Sequence, residues 1–281
     1  MNKDNGAIDF MQLMRDEKRR AKLEKQKIKQ SNLKDREAKT DMKQKVLCIP
    51  PWPKSFQCDN IPPLDHAQHK VSNVGNIYYI SQFLSKSHQK DLIKWLQLLP
   101  EAEIQSEHSP AGQWNKMKYG KRRVALFDHK KELPGPLRQL AQILVEAGVF
   151  SDENYAPNHV LINEYQPGQG ILAHTDGPAY HAKTATLSLG QSSVLLNFCP
   201  RLKTHEIGQV TAEIAAQIHL EGDGSLVVFS DDAYTNFTHS IEEIDAKAGL
   251  KEIVSNICCN AKPGTFVDRG YRLSLTFRHH F

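Results

Sequence analysis

No run of 18 or more apolar residues occurs anywhere in the 281-residue chain, so no helix of this sequence is expected to cross a membrane. Cysteine is scarce: the five residues Cys48, Cys58, Cys199, Cys258 and Cys259 contain no C-x-x-C pair, which argues against a disulfide framework and against a zinc ribbon. The segment from Met1 to Ala21 is charged and lacks the apolar stretch of a secretory signal. No repeat recurs at a fixed period. Reduced thiols and an intracellular, cytoplasmic or nuclear, setting are the expectation.

What is present is unevenly placed. The first 45 residues carry 10 Lys and 4 Arg against 5 Asp and 3 Glu, a surplus of six positive charges in a chain whose total is +4. Apolar residues are sparse there, so residues 1–47 are expected to form a charged helical or disordered arm without a core of its own. Such an arm suits a nucleic-acid tether or a docking helix for a protein partner. Ile49-Pro-Pro-Trp-Pro53 and Ile61-Pro-Pro63 exclude helix and central strand, which makes 48–70 a linker and 71–281 the folded domain.

Within that domain a strand over 76–80 and two helices are expected. One is capped near Ser85 or Ser87, carries Leu92, Trp95, Leu96 and Leu99, and ends at Pro100; the other follows Pro134 and Pro136 and closes at Gly148. The period then shortens. Alternating runs at 159–165, 171–174, 184–189, 193–198, 225–229 and 271–277 are separated by Pro-Gly and Gly-Asp-Gly turns. Helices followed by short strands predict an α+β protein with a jelly-roll core, flanking helices and the charged arm.

Chemistry concentrates in Asn163-Glu-Tyr165 and His174-Thr-Asp176, one on each side of a Pro-Gly turn. Residues two apart on a strand share a face, so each pair points one way. An H-x-D tripeptide is a weak signal alone, because short motifs recur by chance. Two histidines and a carboxylate on one face of an octahedral metal leave three positions open, the pattern of non-haem iron(II) oxygenases. His239 is the favoured third ligand because it begins a late β-prone run; His181, His205 and His219 also exist, and spacing does not choose among them. In Arg272-Leu-Ser-Leu-Thr-Phe-Arg278 a strand puts Arg272, Ser274, Thr276 and Arg278 on one face. Either that face is solvated, or it looks inward and its guanidinium groups need anionic partners such as a dicarboxylate.

These features in this order resemble the AlkB family of iron- and 2-oxoglutarate-dependent dioxygenases, over about residues 75–281. The resemblance implies a double-stranded β-helix, Fe(II) held by His174, Asp176 and His239, and O₂ and 2-oxoglutarate as cosubstrates. It implies Asn163, Tyr165 and Arg272 on the distal carboxylate and keto-acid portion of 2-oxoglutarate. Arg278 would lie by its metal-chelating carboxylate, with Ser274 and Thr276 on the same face. The expected reaction is oxidative demethylation of an alkylated base in DNA or RNA by a monomeric enzyme. The chain departs from the family at Ser274, where asparagine is frequent, and at Gly177-Pro178, where several relatives carry a further acidic residue that meets the base.

Substrate contacts are expected from Trp114, Tyr119, Arg122 and Arg123, whose interleaved rings and cations suit stacking and phosphate binding, and from Tyr180. An irregular surface hairpin anchored by Trp114 accounts equally well for the stretch 112–128. Residues 242–269 form a long insert read as a lid or a surface excursion. Three other readings stay open: a protein side-chain hydroxylase of the same chemistry, a nucleic-acid or protein-binding module with little catalysis, and a zinc hydrolase using the same three ligands.

Overall fold

The computed structural model describes residues 63–72, 74–102, 111–117, 122–201, 213–245, 250–252 and 260–281. The arm lies outside them, as do Tyr119 and the cysteines other than Cys199, a free thiol. The described chain begins with a short helix, α1 (His66–His69), and strand β1 (Asn76–Ile80). Helix α2 (Lys86–Gln97) starts where Ser85 turns its hydroxyl back to the His88 N–H, and it buries Leu92, Trp95 and Leu96. A hairpin, β2 (Trp114–Lys116) and β3 (Arg123–Phe127), leads to α3 (Gly135–Glu146), whose entry Pro134 and Pro136 pre-set.

The rest is β-rich. It comprises β4 (His159–Tyr165), β5 (Ile171–His174), β6 (Lys183–Gly190), β7 (Val194–Pro200), β8 (Ala216–Leu220), β9 (Leu226–Ser230) and a one-turn helix α4 (Asp232–Thr235). Then come β10 (Phe237–Ile241), β11 (Leu250–Glu252), β12 (Phe266–Asp268) and β13 (Arg272–Arg278).

Two antiparallel sheets face each other. The larger has the order β1-β9-β6-β13-β4-β3-β2 and the smaller β5-β10-β7-β8, the crossed order of a double-stranded β-helix. Period-2 alternation gives the larger sheet two different faces. Leu273, Leu275, Phe277, Ile162, Leu187 and Val228 pack against Trp95, Leu96, Leu137 and Leu140 of the two helices in one continuous core. The opposite residues of the same strands face the smaller sheet, where Leu196, Phe198, Ile218, Leu220 and Ile241 meet Val227 and Phe229. Every residue of β13 is buried, because this strand has a neighbour on each side and a layer on each face.

Strands β2, β3, β8, β11 and β12 add to the alternating runs expected from the sequence. Where described, the late part of the 242–269 insert is not a lid. Val267 of β12 packs on Leu195, which points away from the space between the sheets, and Asn260 exchanges hydrogen bonds with the backbone of His219. Among its described residues, the first two, Glu242 and Glu243, reach the mouth of the cavity described below.

Candidate active site

The turn 166–170 joins β4 to β5 and carries the chain from the larger sheet to the smaller. It is tightly fitted at Gly170, where a Cβ would stand 2.2 Å from the carbonyl oxygen of Ile241. Strand β5 pairs with β10 so that His174 lies directly opposite His239. Asp176 follows just past the strand end. Nitrogen and oxygen donors of His174, Asp176 and His239 lie within 4.8 Å of one another, the one such group among the described residues.

Hydrogen bonds outside the cluster aim these donors. The Nδ1 of His174 lies 2.8 Å from the carbonyl oxygen of Leu172, and a carbonyl only accepts, so Nδ1 donates and Nε2 keeps its lone pair for the cluster. Thr184 Oγ1 donates to Asp176 Oδ2 at 2.7 Å, and Arg278 Nη2 donates to Oδ1 at 2.6 Å. Burial would push the Asp176 carboxyl up, but Arg278, His239 and the Thr184 hydroxyl outweigh it and hold the pKa below the usual carboxylate range. Burial pulls His239 down to about 4 against the opposing pull of Asp176, so its imidazole is neutral at pH 7. An anionic carboxylate and two imidazoles, that of His174 aimed by the Leu172 carbonyl, are the donor set of an iron(II) site with open positions, and the residues present fit that metal.

Beside this cluster a cavity between the sheets is lined by Asn163, Tyr165, Arg272, Ser274, Thr276 and Arg278 together with His174 and His239. The polar face of β13 therefore looks inward. Cross-strand register places Arg272 opposite Tyr165 and Ser274 opposite Asn163. Arg272 is 2% exposed, and its Nε is buried without a hydrogen-bond partner. Its Nη2 donates to Ser188 Oγ at 2.9 Å, and its guanidinium lies 5.4 Å from the Tyr165 ring centre. No carboxylate among the described residues pairs with it. A buried cation without an anion is costly, so this orphaned guanidinium fits an anionic ligand such as the carboxylate of 2-oxoglutarate.

Arg278 differs, since it is already paired with the carboxylate of Asp176. Its guanidinium also lies 5.0 Å from the ring centre of Tyr180, at the wide outer mouth of the cavity. Arg122 lines that mouth too, and its Nε donates to Asn163 Oδ1 at 3.0 Å. With Met117 and the exposed Leu172 the mouth has a volume of about 1100 Å³, ample for a nucleotide.

Trp114 and Arg123 lie elsewhere. Trp114 is 2% exposed in the helix–sheet core and its indole N–H donates to the carbonyl of Leu96 at 2.9 Å. Arg123 covers that ring at 4.7 Å and pairs with Glu164 and Glu101. Both are held on the face of the sheet opposite the cavity. Tyr119 lies outside the described residues. Thr184, Thr186 and Leu161 line the cavity without having been singled out beforehand. Thr184 was findable in principle, as the residue that starts an alternating strand on the polar side of its neighbour.

Compared with known families, residues 76–278 match the model of the 2OG-Fe(II) oxygenase superfamily. The chain is 28% identical over 205 residues to the "Probable RNA/DNA demethylase ALKBH6" of Danio rerio, covering 72% of this chain and 85% of that protein. It is 30% identical over 158 residues to the "tRNA (carboxymethyluridine(34)-5-O)-methyltransferase ALKBH8" of Mus musculus, covering 54% of this chain and 22% of that one. Among solved structures, an oxidoreductase of the 2OG-Fe(II) oxygenase family from Burkholderia pseudomallei aligns with a TM-score of 0.46 at 14% identity, covering 80% of this chain and 94% of that one.

Proposed function

The chain belongs to the 2OG-Fe(II) oxygenase superfamily, and from that premise we propose that it oxidatively demethylates alkylated nucleic acid. Iron(II), 2-oxoglutarate and O₂, when bound, supply the coupled decarboxylation and C–H hydroxylation, after which a hydroxymethyl group on a base nitrogen is lost as formaldehyde. His174, Asp176 and His239 are the metal ligands in this reading. Arg278 and Thr184 keep Asp176 anionic and fixed in orientation, and the Leu172 carbonyl sets the tautomer of His174.

Arg272 receives the distal carboxylate of 2-oxoglutarate, with Asn163 and Tyr165 opposite it on β4 and Ser274 and Thr276 completing the wall. The observation that carries the reading is this juxtaposition: a three-donor metal cluster and an orphaned buried arginine share one cavity. Nucleic acid is supported as substrate by the similarity to a probable RNA/DNA demethylase over most of both chains. In this reading Arg122 and Tyr180, which line the mouth beside Glu242 and Glu243, meet the nucleic acid.

Formaldehyde release from a panel of methylated DNA and RNA oligonucleotides tests the proposal. Turnover on at least one member, abolished in His174→Ala, is the expected result. Turnover confined to peptides would overturn the nucleic-acid assignment.

A further inference from the structure

Arg269 sits between β12 and β13 and is 3% exposed. Among the described residues it has no carboxylate partner, and its chemistry is spent on one short segment. Its Nη2 donates to the carbonyl of Gln169 at 2.8 Å, and its own carbonyl accepts from the Gly168 N–H at 2.8 Å. Both partners belong to the turn 166–170, which separates Tyr165 from the strand that delivers His174. The other side of the turn is closed as well: Ile244 N–H donates to the Gly168 carbonyl at 2.9 Å, and Gly170 abuts Ile241. Arg269 therefore holds the hinge between the two halves of the site.

A single carbonyl satisfies a hydrogen bond of a guanidinium but does not neutralise its charge, and burying that charge is costly. Arg272, three residues on, is in the same position. Burial lowers the pKa of Arg272; Tyr165 opposes this, and the charge of Arg269 adds to the lowering, so the two cations feel each other. Arg272 lines the cavity and Arg269 precedes it by three residues; both are buried and, among the described residues, neither pairs with a carboxylate, which favours a multiply charged anion in the cavity.

We propose that Arg269 is a positioning residue for the cosubstrate: it clamps the 166–170 turn and adds, three residues before Arg272 in the chain, a second buried positive charge for the distal carboxylate of 2-oxoglutarate. It does not line the cavity, so it acts through the turn and the field and not by contact. The proposal rests on the cosubstrate reading and is independent of the substrate that is oxidised.

Calorimetric titration of the full chain, loaded with Mn(II), tests it. In Arg269→Gln, which keeps a donor for Gln169 but no charge, 2-oxoglutarate binding should weaken about tenfold while Mn(II) binding is unchanged. Arg269→Lys should stay within about threefold of wild type. 2-Oxobutyrate, which lacks the distal carboxylate, should bind wild type and Arg269→Gln alike. Unchanged 2-oxoglutarate affinity in Arg269→Gln, an equal loss for 2-oxobutyrate, or a parallel loss of Mn(II) would each overturn the assignment. If the Gln variant does not fold, Arg269→Lys decides: retained preference for 2-oxoglutarate over 2-oxobutyrate supports the proposal and its loss overturns it. A wild-type chain that binds Mn(II) but no 2-oxoglutarate would instead refute the cosubstrate reading beneath it.

Discussion

The hairpin β2–β3 and the strand β13 both flank β4, both carry two arginines, and both looked from sequence like surfaces for an anion. Arg123 of the hairpin and Arg272 of β13 differ in which side of the sheet they occupy and what meets them there. Arg123 lies on the helix side, where Glu164 of β4 and Glu101 neutralise it and Trp114 lies beneath it. Arg272 lies on the cavity side, where it meets Ser188 and Tyr165 and, among the described residues, no carboxylate. Adjacent residues of β4, Glu164 and Tyr165, point to opposite faces and so separate the two outcomes. An arginine answered by a protein carboxylate holds the fold; one left unanswered in a cavity awaits a ligand.

The comparison is most severely tested on the hairpin's ring. Trp114→Ala should cost about 3–5 kcal/mol of stability in chemical denaturation, as removal of a fully buried tryptophan does, while the folded protein keeps its affinity for oligonucleotide. A selective loss of substrate binding with stability intact would return Trp114 to the mouth. Next, Arg272→Ala should weaken 2-oxoglutarate binding about 100-fold and leave Mn(II) affinity within about threefold, measured by titration calorimetry. Arg123→Ala should do the reverse on a smaller scale. It leaves the buried carboxylate of Glu164 with the Tyr271 hydroxyl but no cation, costs ~1–3 kcal/mol in stability, and leaves cosubstrate affinity unchanged.

The smallest effect concerns a third cation that the cavity side refuses. His159 pairs across the strands with Arg278 and is 4% exposed. Burial first, then the charge of Arg278, pull its pKa from 6.5 down to about 4. The unfolded chain takes up this proton near pH 6.5 and the folded chain only near 4. Its contribution to stability is therefore present above pH 6.5 and is lost as pH falls toward 4. His159→Gln should flatten the decline in unfolding free energy between pH 7 and pH 4.5; an unaltered slope would remove His159 as its cause.

Much of the site was legible because it is written in period 2. Asn163 with Tyr165, His174 with Asp176, and Arg272 through Arg278 each announce a shared face before any partner is known. Which face is inward was not legible: β13 is buried on both sides, so solvated and ligand-lined readings of its polar face have the same sequence pattern. His239 was favoured only by its place in the chain, since nothing local distinguishes it from His219, which lies on β8 outside the cluster. The basic neighbours of Trp114 left its two readings equal, and what decides between them is Leu96, whose carbonyl takes the indole N–H in the core. Arg269 gave no signal, as its role depends on meeting a turn 100 residues earlier.

In the proposed function Arg272 has no carboxylate partner among the described residues because a dicarboxylate ligand completes it. The direct measurement is the ratio of affinities for 2-oxoglutarate and 2-oxobutyrate in the Mn(II)-loaded chain, with and without Arg272→Ala. Wild type should prefer 2-oxoglutarate by about 100-fold and the variant should bind both nearly equally. A variant that keeps the wild-type preference would contradict the account.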